Sequence, residues 1–540
     1  MHQTGIRNQD HDAAASGLAG PGKVFWNLTE SVLYERAVAR GEARLTATGA
    51  LAAEPAPQSG RGPVHRCVVR EEASEESIAW DGTEALSREH FEALKEDILA
   101  HAAGRTLFAQ DLHAGADPAR RVDVRVYTEH AWQSLFARNM LRQPEHEELL
   151  AFAPQLTVLC APGFRIEAER HGVSKNAVVA GDLADGLVLI AGTLDAGEIR
   201  QAIVDYVAYL LAERGVLPLK GAANVGDAGD VALFLGLSGT GKSVLTADPA
   251  RRLIGDGAIG WSPEGMFNLE GGCYGRIADT SITHASDAGE PTIAAAAQRF
   301  GTVLENVPLD PDTRVPDLHA HPQDARAACP LAFIAHADAS GRAGTPRALF
   351  MLTCDTFGVM PPIARLTPAQ AMYHFLSGYS GEVAEAPNGA GEPQPLFHAG
   401  FAASFAPRQP SLHGQMLGNL IAEHDIACWL VNTGWTGGRA GMGTRVPVET
   451  TRRLVAAALD GSLAEAEMRT DPYFGFAIPA AVEGVDARLL DPSRAWASRM
   501  DYAMTARRLV GMFTDNFTRF ETAVDDEVRH AQPRLAIAAE

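Results

Sequence analysis

Lysine is scarce in this chain: only five of its 46 basic residues are lysine, and the 46 face 67 acidic ones. The resulting formal charge of −21 disfavours nucleic acid or an anionic membrane as the main partner, so any anionic ligand has to be caught by a local cluster of cations. Cysteine is sparse too. Cys67, Cys160, Cys273, Cys329, Cys354 and Cys428 show no CxxC spacing and no Cys/His pairing, which argues against a zinc site and a disulfide framework and suggests buried thiols in a reducing compartment. No basic segment followed by an apolar run opens the chain, and the most apolar helix-like stretch, residues 202–212, is short and carries Asp205. The expectation is therefore a cytoplasmic protein with no export signal and no membrane span. HExxH, paired-carboxylate and Ser/His/Asp patterns are likewise missing, and His374 reads as structural.

What is present is length and ordinary globular composition: 540 residues with 46% apolar and 21% charged side chains, enough for two substantial domains. Residues 1–22 are polar and glycine-rich with no apolar period and predict a mobile tail, with a second tail over 529–540. Between residues 24 and 220, helix-like segments at 31–44 and 88–102 alternate with strand-like ones at 122–127 and 186–192. A helix over 198–214 stopped by Gly215 leads to a boundary near 220, giving domains over 23–220 and 221–528. The glycine-rich segments 381–395 and 434–443 read as loops.

The second domain opens on the uninterrupted apolar run Val231-Ala-Leu-Phe-Leu235, as a doubly buried strand requires. Gly236, Leu237, Ser238, Gly239, Thr240, Gly241, Lys242 and Ser243 follow at once and match a phosphate-binding P-loop at all four fixed positions. Closely spaced glycines let backbone N–H groups converge on phosphate oxygens, and the next helix adds its positive end. Lys242 would reach the terminal phosphates of ATP, and Ser243 would supply a hydroxyl to its magnesium ion. Downstream, Arg252-Leu-Ile-Gly-Asp256 reads as a short strand ending in an acid suited to the magnesium side; taken alone, Asp256 before Gly257 is also a turn signal.

These residues sit among longer strings: Phe267-Asn-Leu-Glu-Gly-Gly-Cys-Tyr274, Val303-Leu-Glu-Asn-Val307, Phe357-Gly-Val-Met-Pro-Pro362, Tyr373-His-Phe-Leu-Ser-Gly378 and Val431-Asn-Thr-Gly-Trp435. From about residue 20 to about 528 the sequence resembles the ATP-dependent phosphoenolpyruvate carboxykinases. The resemblance implies an α/β, two-domain fold, with an N-terminal substrate domain, a C-terminal P-loop mononucleotide-binding domain and an active site in the cleft between them. The implied reaction decarboxylates oxaloacetate and moves the γ-phosphoryl group of ATP onto the enolate, with magnesium on the nucleotide and manganese bridging γ-phosphate and protein. On that resemblance Lys242, Ser243 and Asp256 match the P-loop lysine and the magnesium side, and Glu305, Arg445 and Thr451 match positions near the nucleotide. Arg314 matches the arginine on the transferring phosphate, Arg61 the arginine that holds the substrate carboxylate, and Arg365 follows a family string.

The other half of the implied site departs from the family. The motif Tyr-x-Gly-Glu-Met-Lys-Lys appears as Asp195-Ala-Gly-Glu-Ile-Arg-Gln201, the metal-binding histidine is Lys220, and the metal-binding second aspartate is Gly257. Gly offers no ligand atom, Lys would first have to lose a proton, and Gln is a weak neutral donor, so manganese is not expected. Repulsion between an enolate and a γ-phosphate would then fall to fixed cations, with Lys220 and Arg200 as the first candidates and Arg66 and Arg276 where the family has lysine. Lys220 has two readings: a cationic substitute for the metal, or a solvated surface charge. Two functions follow: an ATP-dependent phosphoryl-transfer enzyme acting on oxaloacetate or another small carboxylate, near which Asp195 would disfavour an extra negative charge, or an ATP-binding regulator that completes no transfer.

Overall fold

The computed structural model describes residues 2–18, 20–53, 63–277, 293–318, 320–321, 324–386, 389–401 and 408–533. Two compact units emerge. The first comprises Met1–Arg214, Phe267–Arg342 and Ser404–Gln409, and the second Gly215–Met266, Ala343–Ala403 and Pro410–Glu540. A single boundary near 220 therefore does not describe the chain: residues 267–342, read from sequence as part of the nucleotide domain, return to the first unit. The reason is strand pairing. Gly272–Arg276, Arg326–Pro330 and Val303–Glu305 share a sheet with Leu51–Ala53 and Ala43–Leu45, contacts that no local pattern discloses.

The larger sheet of the first unit runs in the order His2–Gly5, Lys23–Trp26, Thr106–Ala114, Val122–Thr128, Leu156–Ala161, Leu187–Ala191, Ala177–Asp182, Val64–Val69, Glu84–Leu86. Its central strands are apolar nearly throughout and buried on both faces, as a sheet covered on both sides demands. The helix Arg88–His101 begins where the Ser87 side chain accepts from the His90 N–H at 3.2 Å. It buries Phe91, Leu94 and Ile98, the 3.6-period face seen in the sequence. The helix Gly197–Glu213 is followed by Gly215 in the left-handed region, where a side chain would be strained.

The mobile tail expected over residues 1–22 is instead part of the fold. His2–Gly5 pairs in parallel with Lys23–Trp26, and Ala13 and Leu18 are buried against Val24, Trp26 and Tyr127. The buried Arg125 guanidinium bonds Asp111 at 2.6 Å, reaches the His11 carbonyl, and lies 4.7 Å from the Trp26 ring centroid. His11 and Arg125 are more than a hundred residues apart in the chain, so composition alone could not reveal their contact. At the other end, the Asp525 carboxylate accepts from the Val528 N–H at 2.9 Å and starts the helix Asp526–His530, so no tail begins at 529; residues 534–540 lie outside the described residues.

The ten-stranded sheet, most of whose residues belong to the second unit, follows the order Arg342–Ala343, Gly265–Asn268, Arg251–Ser262, Leu217–Gly226, Val231–Leu235, Pro346–Thr353, Ala427–Asn432, Ile363–Leu366, Ala477–Pro479, Met468–Thr470. All five residues of Val231–Leu235 are fully buried, each large side chain contributing about 1.5–3 kcal/mol of burial. Ala232 and Phe234 face one apolar cluster and Val231, Leu233 and Leu235 the other, as a period of two dictates. Of the stretch 381–395, read as a loop, residues 381–386 and 389–395 belong to the two-stranded ribbon Tyr379–Ala386 with Gly389–Phe397, and 387–388 lie outside the described residues. Among the described residues no helix is long and apolar enough to cross a membrane, and none of the six cysteines forms a disulfide, five of them being buried.

Candidate functional site

In the second unit the buried strand Val231–Leu235 delivers the chain directly into the glycine-rich loop 236–243. Gly239 and Gly241 have φ of 81° and 90°, the left-handed region that side-chain-bearing residues rarely adopt, so these two glycines are required by the turn itself. Thr240 is fully buried and donates its hydroxyl to the Leu237 carbonyl at 2.8 Å, closing the loop. Three neighbouring elements hold it in place: Thr433 donates to the Thr240 carbonyl at 2.9 Å, Asn224 to the Thr246 carbonyl at 3.1 Å, and Arg452 to the Val244 carbonyl at 3.3 Å.

Lys242, the first residue of the short helix Lys242–Thr246, donates to the carbonyls of Gly236 and Leu237 at 2.6 and 2.9 Å. Burial pushes its ammonium down to about 8; Asp256 opposes this and Lys220 adds to it. An arrangement of convergent backbone with a desolvated lysine at its mouth can bind an anion strongly.

Asp256 is not at the end of a strand. It lies inside Arg251–Ser262, whose antiparallel partner Leu217–Gly226 places Ala222 opposite Asp256 and Lys220 opposite Ala258. The long ladder overrides the local Asp-Gly turn signal. Because side chains alternate along strands, Lys220 and Asp256 lie on one side of this pair as diagonal neighbours. The charge of Lys220 also acts on His398, which lies in no motif of the chain.

Arg445 donates to the Thr433 carbonyl at 3.0 Å, with its guanidinium 5.7 Å from the Trp435 ring centroid. Thr451 is buried, and its hydroxyl turns back to the Pro447 carbonyl at 3.3 Å in the first turn of the helix Val448–Leu459. Arg365 lies on the strand Ile363–Leu366, opposite Trp429.

Glu305 and Arg314 belong to the first unit, away in the chain from the loop-bearing one. The buried Glu305 carboxylate accepts from the Ala196 N–H at 3.2 Å and from the Tyr274 hydroxyl at 2.5 Å. Arg314 is exposed, with a left-handed φ of 58°, and its carbonyl accepts from the Ala47 N–H at 2.9 Å. Asp195 accepts from the Gly197 N–H at 2.9 Å at the start of the helix Gly197–Glu213. Asp195 and Glu305 thus converge on Tyr274, whose phenol is held well above its ordinary range by burial first and by both carboxylates in addition. Tyr274 closes one of the quoted strings, a signal the sequence reading left unused.

On the same helix Gln201 donates its amide to the buried Asp205 at 2.8 Å. Arg200 forms a two-pronged pair with the buried Glu270, one bond at 2.7 Å, and Arg66 does the same with Glu198, one bond at 3.1 Å. Arg200 and Arg66 are therefore each held by a carboxylate. Arg276 ends its strand opposite Arg326. Arg61 lies outside the described residues.

The chain matches the family described as Phosphoenolpyruvate carboxykinase over residues 22–488. It is 52% identical over 542 residues to "Phosphoenolpyruvate carboxykinase (ATP)" of Azorhizobium caulinodans, 50% identical over 541 residues to that of Methylobacterium nodulans, and 51% identical over 542 residues to that of Chelativorans sp., each covering the whole of both chains. This chain belongs to the phosphoenolpyruvate carboxykinase family.

Within that family, the positions the resemblance equates with manganese ligands hold Gln201, Lys220 and Gly257. One offers an amide whose nitrogen donates to Asp205, one an ammonium, and one no side chain. This donor set does not fit a tightly held transition metal. Among the described residues no group of three or more His, Cys, Asp or Glu side chains gathers to hold an ion. The donors suited to the magnesium of a nucleotide, the Ser243 hydroxyl and the Asp256 carboxylate, both belong to the loop-bearing unit.

Proposed function

We propose that this carboxykinase-family protein binds MgATP at the loop 236–243 and transfers its terminal phosphoryl group to oxaloacetate or another small carboxylate, without a tightly bound manganese ion. One observation carries the reading: Lys242 is desolvated at the mouth of a fully formed glycine loop, with Asp256 close enough to act on its charge. Ser243 and Asp256 would hold the magnesium, which supplies charge neutralisation of the phosphates when bound. The loop N–H groups orient the phosphates, and Lys242 exchanges its two carbonyl partners for phosphate oxygens. On the family resemblance, Arg61, Arg276 and Arg314 are the arginines assigned to the acceptor's carboxylate and the moving phosphoryl group.

The donor set at 201, 220 and 257 favours a second reading, an ATP-binding regulator that completes no transfer. Release of ADP by the purified protein with MgATP, oxaloacetate and a panel of small carboxylic acids, with and without manganese, separates the two. Acid-dependent ADP release that manganese does not raise is the expected result. Tight ATP binding with no ADP from any acid would instead support the regulator, and strong stimulation by manganese would overturn the claim about that metal.

A further inference from the structure

We propose that Lys220 binds the terminal phosphoryl group of the bound nucleotide, so that the site prefers a triphosphate to a diphosphate through a fixed ammonium. The inference rests on the reading of the loop as an ATP site and goes beyond it by naming the residue that distinguishes ATP from ADP.

Lysine usage is the first observation. The stretches that make up the second unit contain two lysines, Lys220 and Lys242, in a chain that otherwise relies on arginine. The remaining three lie in the first unit, where Lys23 is 4.6 Å from the Phe25 ring centroid, Lys95 pairs with Glu92 at 3.1 Å, and Lys175 donates to the Val64 carbonyl at 3.0 Å. An ammonium is a compact point charge with three rotatable donors, whereas a guanidinium is a planar fork. Where a small, highly charged group must be met from one side, the ammonium is the better match.

Placement is the second observation. Lys220 is exposed on the strand Leu217–Gly226, on the same side of the ladder as Asp256 and within electrostatic reach of Lys242. Two ammonium groups therefore stand about one carboxylate, beside a loop whose backbone already favours an anion. Two ammonium groups placed together beside one loop stand out in a chain with five lysines and a net charge of −21. The loop backbone wraps the inner phosphates, and Lys242 marks where the outer ones emerge. Lys220 is not part of the loop and approaches from the adjoining strand pair, so its natural partner is the outermost phosphate, which ADP lacks.

The test is calorimetric binding of MgATP and MgADP to the full-length protein and to Lys220→Met, Lys220→Gln and Lys220→Arg, with Lys242→Met as a control for the loop. Both neutral variants should lose about tenfold in ATP affinity and less than about twofold in ADP affinity, with Lys220→Arg intermediate and added manganese restoring nothing. Equal losses for the two nucleotides, or no loss for either, would overturn the inference while leaving the ATP site standing. Failure of the unaltered protein to bind ATP would instead remove the proposed function and this inference with it. Because Lys220 is exposed, unchanged melting temperatures are expected for all three variants and verify that folding is not what is measured.

Discussion

Thr433 donates its hydroxyl to the main-chain carbonyl of Thr240, 2.9 Å away, and so ties the end of the strand Ala427–Asn432 to the middle of the glycine loop. The same hydroxyl lies 3.2 Å from the Thr353 carbonyl. Removing it leaves a buried carbonyl without its donor at the point where the loop must hold its curvature. Thr433→Val keeps the shape and should weaken MgATP binding about fivefold, equivalent to about 1 kcal/mol, with little change in melting temperature. Calorimetry beside a thermal melt measures both quantities.

Lys242 should carry a cost in the unliganded protein. Its ammonium has an ordinary pKa of 10.5 and is pushed down to about 8, mainly by burial. Between those values the unfolded chain holds more protons than the folded one, so this group's contribution to stability rises with pH from about 8 to 10.5. At pH 7 the buried charge costs about 3 kcal/mol, which Lys242→Met relieves. The variant should melt at a higher temperature than the parent at pH 7, lose that advantage as pH approaches 10, and fail to bind ATP. A lower melting temperature at pH 7 would contradict the burial argument.

His374 gives the opposite end of the pH scale. It is packed against Tyr373, Phe476 and Phe513, and burial drives its imidazole from the ordinary 6.5 to about 3. Below pH 6.5 the unfolded chain takes up a proton that the folded chain refuses, so stability present above 6.5 is lost as the pH falls toward 3. By pH 4 the loss should be about 3 kcal/mol from this residue. His374→Gln cannot titrate, and its melting temperature should fall less between pH 6.5 and 4 than that of the parent.

Asp355 is fully buried and accepts from the N–H groups of Phe357, Val359 and Met360 at 2.8–2.9 Å and from the Tyr379 hydroxyl at 3.0 Å. An amide at this position would turn an NH2 group toward one set of donors. Asp355→Asn should therefore destabilise by about 2–4 kcal/mol, and Tyr379→Phe, which removes one donor, by about 1 kcal/mol. Chemical denaturation of the two variants gives the comparison.

Legibility in the sequence followed the range of the interaction. The strand Val231–Leu235, the loop after it and the helix Arg88–His101 were readable because their causes are local: an apolar run, glycine spacing and a helical apolar period. Asp256 was misread as a strand end because Asp-Gly is a local turn signal, while its true setting is a ladder with residues more than thirty positions earlier. The ordered N-terminal segment escaped for the same reason, since Arg125, which reaches the His11 carbonyl, and Tyr127, which bonds Ser16, lie more than a hundred residues on. Of the candidate site, the loop and Lys242 stood out in the sequence. The pairing of Arg66 with Glu198 and Arg200 with Glu270, and the convergence of Asp195 and Glu305 on Tyr274, depend on folding and did not.

The smaller sheet of the first unit joins strands from residues 43–53 to strands from residues 272–330. A ribosome releases the chain from its N-terminus, so the early pair must wait while the whole segment 215–266, with its glycine loop, is made. The first unit therefore cannot mature before the loop of the second has been synthesised. Cutting the gene near codon 220 would leave a product with exposed strand edges, prone to aggregation, in place of a free-standing domain.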